Sequence, residues 1–364
     1  MRHRFHALCP YFAMFPEAFA ERWIGELTKP GDLVLDPFCG RGTMPFQALL
    51  MGRRAVGSDI NPVAYCITRA KTNAPTVASL RSRITRLEGE YSPRSHEAKT
   101  DTLPDFYHHA YDPGTLGQVL YLRSRLRWAE SDVDCMLAAL MLGALHGESA
   151  RSPSYLSNQM PRTISTKPDY SVRYWKKRRL LPPRRDAFTL LRDRASYRYA
   201  SDRPDLRASV ACADVRDLPR EGAVAAGSVK AAITSPPYLD VTNFEEDQWL
   251  RLWFLGGPPH PTRGRISTDD RHYSLDGYWG LIADTWRTLG QLLAPSGHVL
   301  MRLGFKRLAP ERIVEGVLGS GALAKRQIRL IGYEVSDIRR RQTGSFRPGS
   351  RGCLREVDVH LKVA

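Results

Sequence analysis

The sequence lacks the cysteine spacings that hold zinc or build a disulfide framework. Its six cysteines are scattered over 364 residues, without a C-x-x-C pair or an H-x-x-x-H partner. We therefore predict no metal centre. Isolated thiols in apolar surroundings are typical of reduced cytoplasmic proteins, so we expect a cytoplasmic location.

Long apolar runs are also missing. No stretch approaches the roughly 20 consecutive apolar residues that a membrane-spanning helix requires. Arg2 and Arg4 stand near the N-terminus, but the apolar core of a secretory signal does not follow them. We therefore expect neither secretion nor a membrane partner.

Acidic residues are scarce compared with basic ones. The chain has 38 Asp and Glu against 54 Lys and Arg, which gives a formal net charge of +16. This surplus favours a polyanionic partner, because each phosphate that a protein neutralises releases a counterion. A basic protein that binds no nucleic acid could have the same charge, so composition leaves both interpretations open.

Short apolar runs alternate with helical patterns, which predicts a doubly wound, mostly parallel α/β sheet. The segment 73–206 interrupts this alternation, and we interpret it as a helical insertion with a basic surface. It would divide a catalytic domain formed by residues 1–72 and 207–364. Strands are predicted at 33–35, 54–59, 208–212, 231–234, 298–302, 333–338 and 356–363.

The first apolar run ends in a glycine-containing loop, Asp-Pro-Phe-Cys-Gly-Arg-Gly-Thr at 36–43. Gly40 and Gly42 lack a β-carbon, so a ligand could lie against the main chain beside the free N–H groups of the next helix. Asp36 is placed for a cationic amino group. No lysine follows Gly42, which disfavours a phosphate-binding Walker loop. A glycine turn without a ligand stays open as the alternative.

Acidic residues end two further predicted strands. Asp59 follows the second strand about 20 residues after the loop, where a carboxylate can hold ribose hydroxyls. Asp214 follows the strand at 208–212 and could accept a hydrogen bond from an adenine amine. The loop and these two carboxylates together predict a nucleoside-containing cofactor.

A second loop, Thr-Ser-Pro-Pro-Tyr at 234–238, follows another predicted strand. The exocyclic amine of a nucleobase is a poor nucleophile, because its lone pair is conjugated with the ring. Ser235 Oγ and the Pro236 carbonyl could accept the N–H groups and localise that lone pair. Pro236 and Pro237 stiffen the loop, which favours near-attack geometry, and Tyr238 offers a face for base stacking.

The two loops and the Ser-Asp-Ile-Asn-Pro segment at 58–62 resemble the motifs of the S-adenosylmethionine-dependent amino-methyltransferases of DNA. The resemblance implies a Rossmann-like methyltransferase fold with a seven-stranded sheet, S-adenosylmethionine as cofactor and double-stranded DNA as partner. It also implies catalytic roles for Ser235, Pro236, Pro237 and Tyr238. The cofactor-binding residues it implies are Phe15, Asp36, Pro37, Phe38, Gly40, Gly42, Thr43, Asp59, Ile60, Asp214 and Thr234.

Within this family, serine in the first position of the second loop is associated with cytosine N4, and Asp or Asn with adenine N6. We therefore predict a site-specific methyltransferase that acts on cytosine N4 after flipping the base out of the duplex. Adenine-N6 methylation, RNA methylation and a non-catalytic DNA-binding module with this fold stay open. The sequence does not decide whether a restriction endonuclease accompanies the protein or whether it is a monomer or dimer.

Basic and polar residues in the insertion and near the C-terminus are candidates for contacts with phosphates and base edges. The same residues could instead form a solvated basic surface. The candidates are Tyr155, Asn158, Arg162, Arg173, Lys176, Arg178, Arg340 and Arg347.

Overall fold

The computed structural model describes most of the chain. The described residues are 3–11, 16–93, 100–147, 155–160, 167–222, 224–239, 244–262, 274–305, 308–338, 353 and 355–364.

Within the described residues, seven strands form one sheet: β1 (Leu33–Asp36), β2 (Arg54–Ser58), β3 (Ser209–Ala211), β4 (Val229–Thr234), β5 (Leu293–Phe305), β6 (Ile328–Asp337) and β7 (Arg355–Val363). Their order across the sheet is β3-β2-β1-β4-β5-β7-β6. Strands β1 to β5 pair in parallel, and β7 is antiparallel to both of its neighbours. The predicted doubly wound, mostly parallel sheet is confirmed.

The central strands are short apolar runs because helices cover both of their faces. Every residue of β1 is buried, and so is every residue of β4 except Lys230. β6 lies at the sheet edge, and most of its side chains are exposed or partly exposed. β5 is longer than the strand predicted at 298–302, and it already includes residues 295–297. There Ser296 has a φ of 57° and the pairing with β4 shifts register.

Helices connect the strands and fill the interval between β2 and β3. They are α1 (Glu17–Leu27), α2 (Thr43–Leu50), α3 (Pro62–Thr72), α4 (Val77–Gly89), α5 (Asp105–Ala110), α6 (Pro113–Arg125), α7 (Asp132–Leu142), α8 (Pro168–Arg178), α9 (Ala187–Arg198), α10 (Phe244–Asp247), α11 (Trp249–Phe254), α12 (Leu275–Leu292) and α13 (Pro310–Ser320). Asn61, Thr76, Ser131, Asp186 and Ser274 accept N–H groups at helix starts, as capping side chains do.

The insertion packs against helix α3 of the sheet-containing part of the chain. Its helix α7 lies against α3, and the buried Cys66 and Cys135 approach each other there. One hydrophobic cluster continues from the N-terminal segment through α3 into α4, α7 and α9, and it also includes α11. This cluster crosses the predicted boundary at residues 72–73 and gives the insertion a fixed place beside the sheet.

Among the residues that the structure describes, none of the helices combines the length and the apolar composition needed to span a lipid bilayer.

Candidate active site

A cleft with about 630 Å³ of open space lies at the carboxyl ends of β1 and β4. The strand order reverses between these two strands, so the loops that follow them diverge and leave a crevice. The lining comprises Pro37, Phe38, Gly40, Asp59, Ile60 and Asp214 from the predicted cofactor set, Ser235, Pro236, Pro237 and Tyr238 from the predicted clamp, and Tyr11, Asn61, Ala213 and Val215. The two predicted loops therefore meet in one cleft.

The loop between β1 and α2 is pressed closely against α3. Gly42 has a φ of 69°, and a β-carbon there would lie 2.6 Å from Thr68 Oγ1, so glycine is required at this position. Thr68 Oγ1 donates a 3.0 Å hydrogen bond to the Gly40 carbonyl. A β-carbon on Gly40 would lie 3.5 Å from the Tyr11 ring. Main chain and an aromatic ring thus form one wall of the cleft.

Asp59 is held rigidly at the end of β2. Its Oδ2 accepts the Gly40 N–H and its Oδ1 accepts the Asn61 N–H, each at 2.9 Å. The side chain lines the cleft in an orientation that the loop main chain fixes.

Asp36 lies behind the wall of the cleft. Its carboxyl group is almost fully buried, and its Oδ1 accepts Thr234 Oγ1 at 2.6 Å and the Phe38 N–H at 3.2 Å. Burial raises the pKa of Asp36 to about 7; the two hydrogen bonds act in the opposite direction, and the Asp59 carboxylate adds to the rise. Asp36 and Thr234 therefore bind each other instead of lining the cleft.

Gly42 and Thr43 are likewise absent from the lining of the cleft. Thr43 is buried, and its Oγ1 accepts Arg41 Nε at 3.2 Å. Asp214 does line the cleft, but its Oδ1 accepts both the main-chain N–H and the Nε of Arg216 at 2.9 Å. Gly42, Thr43 and Asp214, which were predicted to bind the cofactor, therefore shape the loops that surround the cleft.

Tyr238 is anchored by a residue that the sequence did not single out. Its hydroxyl donates a 2.7 Å hydrogen bond to Glu356 Oε1 on β7. Burial raises the pKa of Tyr238 well above its usual range, and the Glu356 carboxylate adds to the rise. The tyrosine is mostly buried but contributes to the lining of the cleft beside Ser235.

Glu356 belongs to a charged cluster between β5 and β7. Arg302 on β5 contacts Glu356 Oε2 at 3.2 Å and binds both oxygens of Asp358, at 2.6 and 2.7 Å. The Arg302 guanidinium also lies 3.7 Å from the centroid of the Phe19 ring on α1. The bidentate pair with Asp358 is the stronger form of ion pairing and orients Arg302, whose further contact with Glu356 holds that carboxylate next to the clamp.

Arg41, which stands between the two loop glycines, points away from the cleft. Its NH2 contacts Glu17 Oε1 at 3.0 Å, and its NH1 donates to the His6 carbonyl at 3.0 Å. These contacts tie the loop to the N-terminal segment and bring Tyr11 to the cleft.

The predicted DNA-contact residues lie in several places. Arg173, Lys176 and Arg178 are exposed on α8, where Lys176 contacts Asp105 at 3.0 Å. Asn158 is buried, and its amide donates to the carbonyls of His109 and Leu180, so its side chain cannot reach a nucleic acid in this structure. Tyr155 lines a different cleft. Phe15, Arg162, Arg340 and Arg347 lie outside the described residues.

No group of His, Cys, Asp and Glu side chains in the described part of the chain is arranged to hold a metal ion.

Comparison with known proteins gives a match in the region of the first loop. Residues 3–69 match the family model described as DNA methylase. The type II methyltransferase M.MvaI of Kocuria varians is 38% identical over 117 residues, which are 29% of this chain and 24% of that protein. The type II methyltransferase M.HpaI of Haemophilus parainfluenzae is 44% identical over 52 residues, 14% of this chain and 17% of that protein.

The chain thus spans less than a quarter of the length of these curated relatives. Among solved structures, TrmN from Thermus thermophilus aligns with 12% identity and a TM-score of 0.38, over 100% of this chain and 52% of that one.

Proposed function

From the match of residues 3–69 to the DNA methylase family model and from the two loops, we propose that the chain is a DNA amino-methyltransferase, which transfers a methyl group from S-adenosylmethionine to the N4 amine of cytosine in duplex DNA. One observation carries this proposal. The glycine loop after β1 and the Ser-Pro-Pro-Tyr loop after β4 line the same cleft at the switch point of the sheet.

The cleft fits the chemistry of S-adenosylmethionine. Tyr11, Phe38 and Ile60 offer aromatic and apolar surface for a nucleoside, and the bare main chain of Gly40 allows close approach. Asp59 would accept the ribose hydroxyls, because it lines the cleft at the end of β2, where an acidic side chain is placed to hold a ribose. When bound, the cofactor supplies an electrophilic methyl group on a cationic sulfonium.

The clamp residues would prepare the amine for attack. Ser235 Oγ and the Pro236 carbonyl would accept its two N–H groups, so that the nitrogen lone pair is directed away from the ring. Pro236 and Pro237 restrict the main chain, which limits the reorganisation needed to reach near-attack geometry. Tyr238, held by Glu356, would contact the flipped base.

Serine in the first position of the clamp supports cytosine over adenine. The test is incubation of the purified protein with duplex DNA and isotopically labelled S-adenosylmethionine, followed by mass spectrometry of the nucleosides. We expect labelled N4-methylcytosine. Labelled N6-methyladenine would overturn the choice of base, and label found only in competing structured RNA would overturn DNA as the substrate.

A further inference from the structure

A second cleft, with about 1680 Å³ of open space, lies between the N-terminal segment and α9. Leu8 and Pro10 form part of its wall, and Tyr11, the next residue, lines the first cleft. Consecutive α-carbons are about 3.8 Å apart, so a single stretch of chain separates the two clefts. The N-terminal segment therefore forms a wall that the two clefts share.

The charge of this second cleft is positive. Its lining includes four arginines and two aspartates, namely Arg184, Arg185, Arg194, Arg198, Asp186 and Asp193. The Asp186 carboxylate is engaged in capping α9, where it accepts the Thr189 N–H at 2.7 Å, and it also accepts Gln118 Nε2 at 2.7 Å. Because the arginines outnumber the aspartates, the lining carries a net positive charge.

The guanidiniums of this region also act on Cys9, which lies between Leu8 and Pro10 in the N-terminal segment. Burial raises the pKa of the Cys9 thiol, and the guanidiniums of Arg251, Arg194, Arg198 and Arg41 each act in the opposite direction. Arg194 and Arg198, which line the second cleft, therefore also act on the segment that separates the clefts. Residues far apart in the sequence contribute to this concentration of charge, which the tertiary structure creates.

A rigid aromatic side chain stands in the same cleft. The Tyr155 ring lies directly over Gly147, where a β-carbon would come within 1.9 Å of its Cζ. The Arg194 guanidinium lies 5.6 Å from the centroid of the ring. Glycine at 147 thus makes room for the tyrosine, and the packing holds it in one position.

Tyr197 provides a second, more open ring. It is 57% exposed, and the guanidiniums of Arg4 and Arg198 lie 4.6 and 5.1 Å from its centroid. Arginines beside aromatic rings are suited to nucleic acids, since guanidiniums bind phosphates and rings stack on bases or sugars.

We propose that this cleft binds the sugar–phosphate backbone of the DNA strand next to the target base. The proposal rests on the proposed function, which brings DNA to the first cleft. The arginines neutralise phosphates there, and Tyr155 and Tyr197 support the adjacent sugars or bases. The cleft thereby holds the duplex while the flipped base enters the methyl-transfer site.

The test compares a cleft variant with a matched control. Arg184→Ser with Arg185→Ser removes two exposed cleft cations, and Arg312→Ser with Arg329→Ser removes two exposed cations from α13 and β6. The probe is a fluorescently labelled duplex of arbitrary sequence, because phosphate contacts carry no base information. Its affinity is measured by anisotropy over a range of salt concentrations, and methyl transfer to DNA is measured in parallel.

The cleft variant should bind at least about tenfold more weakly, and its salt slope should fall by about 1.8, which corresponds to two lost phosphate contacts. Its KM for DNA should rise while its kcat and its affinity for S-adenosylmethionine stay at the control values. Tyr197→Ala should lower the DNA affinity without changing the salt slope, because the ring carries no charge.

Equal DNA affinity and equal salt slopes for the cleft and control variants would overturn the proposal. A loss confined to a structured RNA probe would also overturn it, in favour of an RNA cleft. The two proposals can fail separately. If the wild-type protein transfers no methyl group to DNA, but the cleft variant binds DNA more weakly than the wild type does, the proposed reaction is wrong and the cleft assignment stands.

Discussion

Asp36 and Thr234 are hydrogen-bonded side chain to side chain at 2.6 Å, although 198 residues separate them in the sequence. Asp36 ends β1 and Thr234 ends β4, and these parallel strands are neighbours at the switch point. The bond therefore links the start of the glycine loop to the start of the clamp. It holds together the two segments on which the proposed reaction depends.

The Asp36→Asn variant should remove a pH-dependent loss of stability. The folded-state pKa of Asp36 is about 7 against an ordinary value of 3.8, so its contribution to stability is fully present below pH 3.8 and is lost as the pH rises through 7. Asparagine stays neutral and can still accept Thr234 Oγ1. The variant should gain stability relative to wild type between pH 4 and 8, by up to roughly 4 kcal/mol.

Urea unfolding of both proteins across that pH range measures this difference. Asp101→Asn, at an exposed carboxylate, is the control. If the free energies of unfolding of Asp36→Asn and of the wild type differ by the same amount at every pH, the pKa of Asp36 is not raised and the prediction is wrong.

The Ser235→Ala variant should slow methyl transfer and spare cofactor binding. The alanine cannot accept an N–H of the target amine, and loss of one preorganised polar contact of this kind lowers kcat by about 100-fold. Single-turnover kinetics give the rate, and calorimetric titration with S-adenosylmethionine gives the affinity. Ser228→Ala, just before β4, serves as the control. If Ser235→Ala lowers the methyl-transfer rate and the affinity for S-adenosylmethionine together, Ser235 does not act as an acceptor for the amine.

The Asp59→Ala variant should weaken S-adenosylmethionine binding by at least about tenfold, because both the ligand acceptor and two main-chain hydrogen bonds are lost. Asp59→Asn keeps the size of the side chain and separates the effect of charge from that of shape. Cofactor titration and thermal melting of each variant are compared with Asp205→Ala, at an exposed carboxylate. Unchanged cofactor affinity in Asp59→Ala would remove this residue from the site.

Glu356 should act as a positioning residue through Tyr238. We expect Glu356→Ala and Tyr238→Phe each to lower kcat by about tenfold, and the double variant to be no slower, since both remove the same 2.7 Å bond. Glu356→Gln should restore much of the rate, because its amide oxygen can accept the phenol. Glu334→Ala, on the neighbouring β6, is the control. Additive losses in the double variant would argue against the pairing.

Much of the fold could be predicted from the sequence, because its signals are local. The seven strands of the described residues each overlap a predicted strand, and the loops after β1 and β4 follow those strands as expected. The extent of β5 could not be predicted. Proline and glycine at 295–297 normally end a strand, but pairing with β4 carries the strand across them with a register shift.

The orientation of individual side chains was less predictable. Asp36 resembled a cofactor ligand in the sequence, yet its nearest donor is Thr234 on the adjacent strand. Asn158 resembled a base-reading residue, yet it is buried against two carbonyl groups. In both cases a hydrogen-bond partner from a distant part of the chain determines where the polar group points.

The sequence by itself determined the order of the strands along the chain, the glycine and proline loops, and the excess of positive charge. These follow from residue type and from neighbours within a few positions. Only the tertiary structure placed Glu356 against Tyr238, Tyr11 against Gly40, and the arginines of α9 beside the N-terminal segment. Such contacts depend on which strands and helices become neighbours, because burial and hydrogen bonding act through space between residues that no local pattern connects.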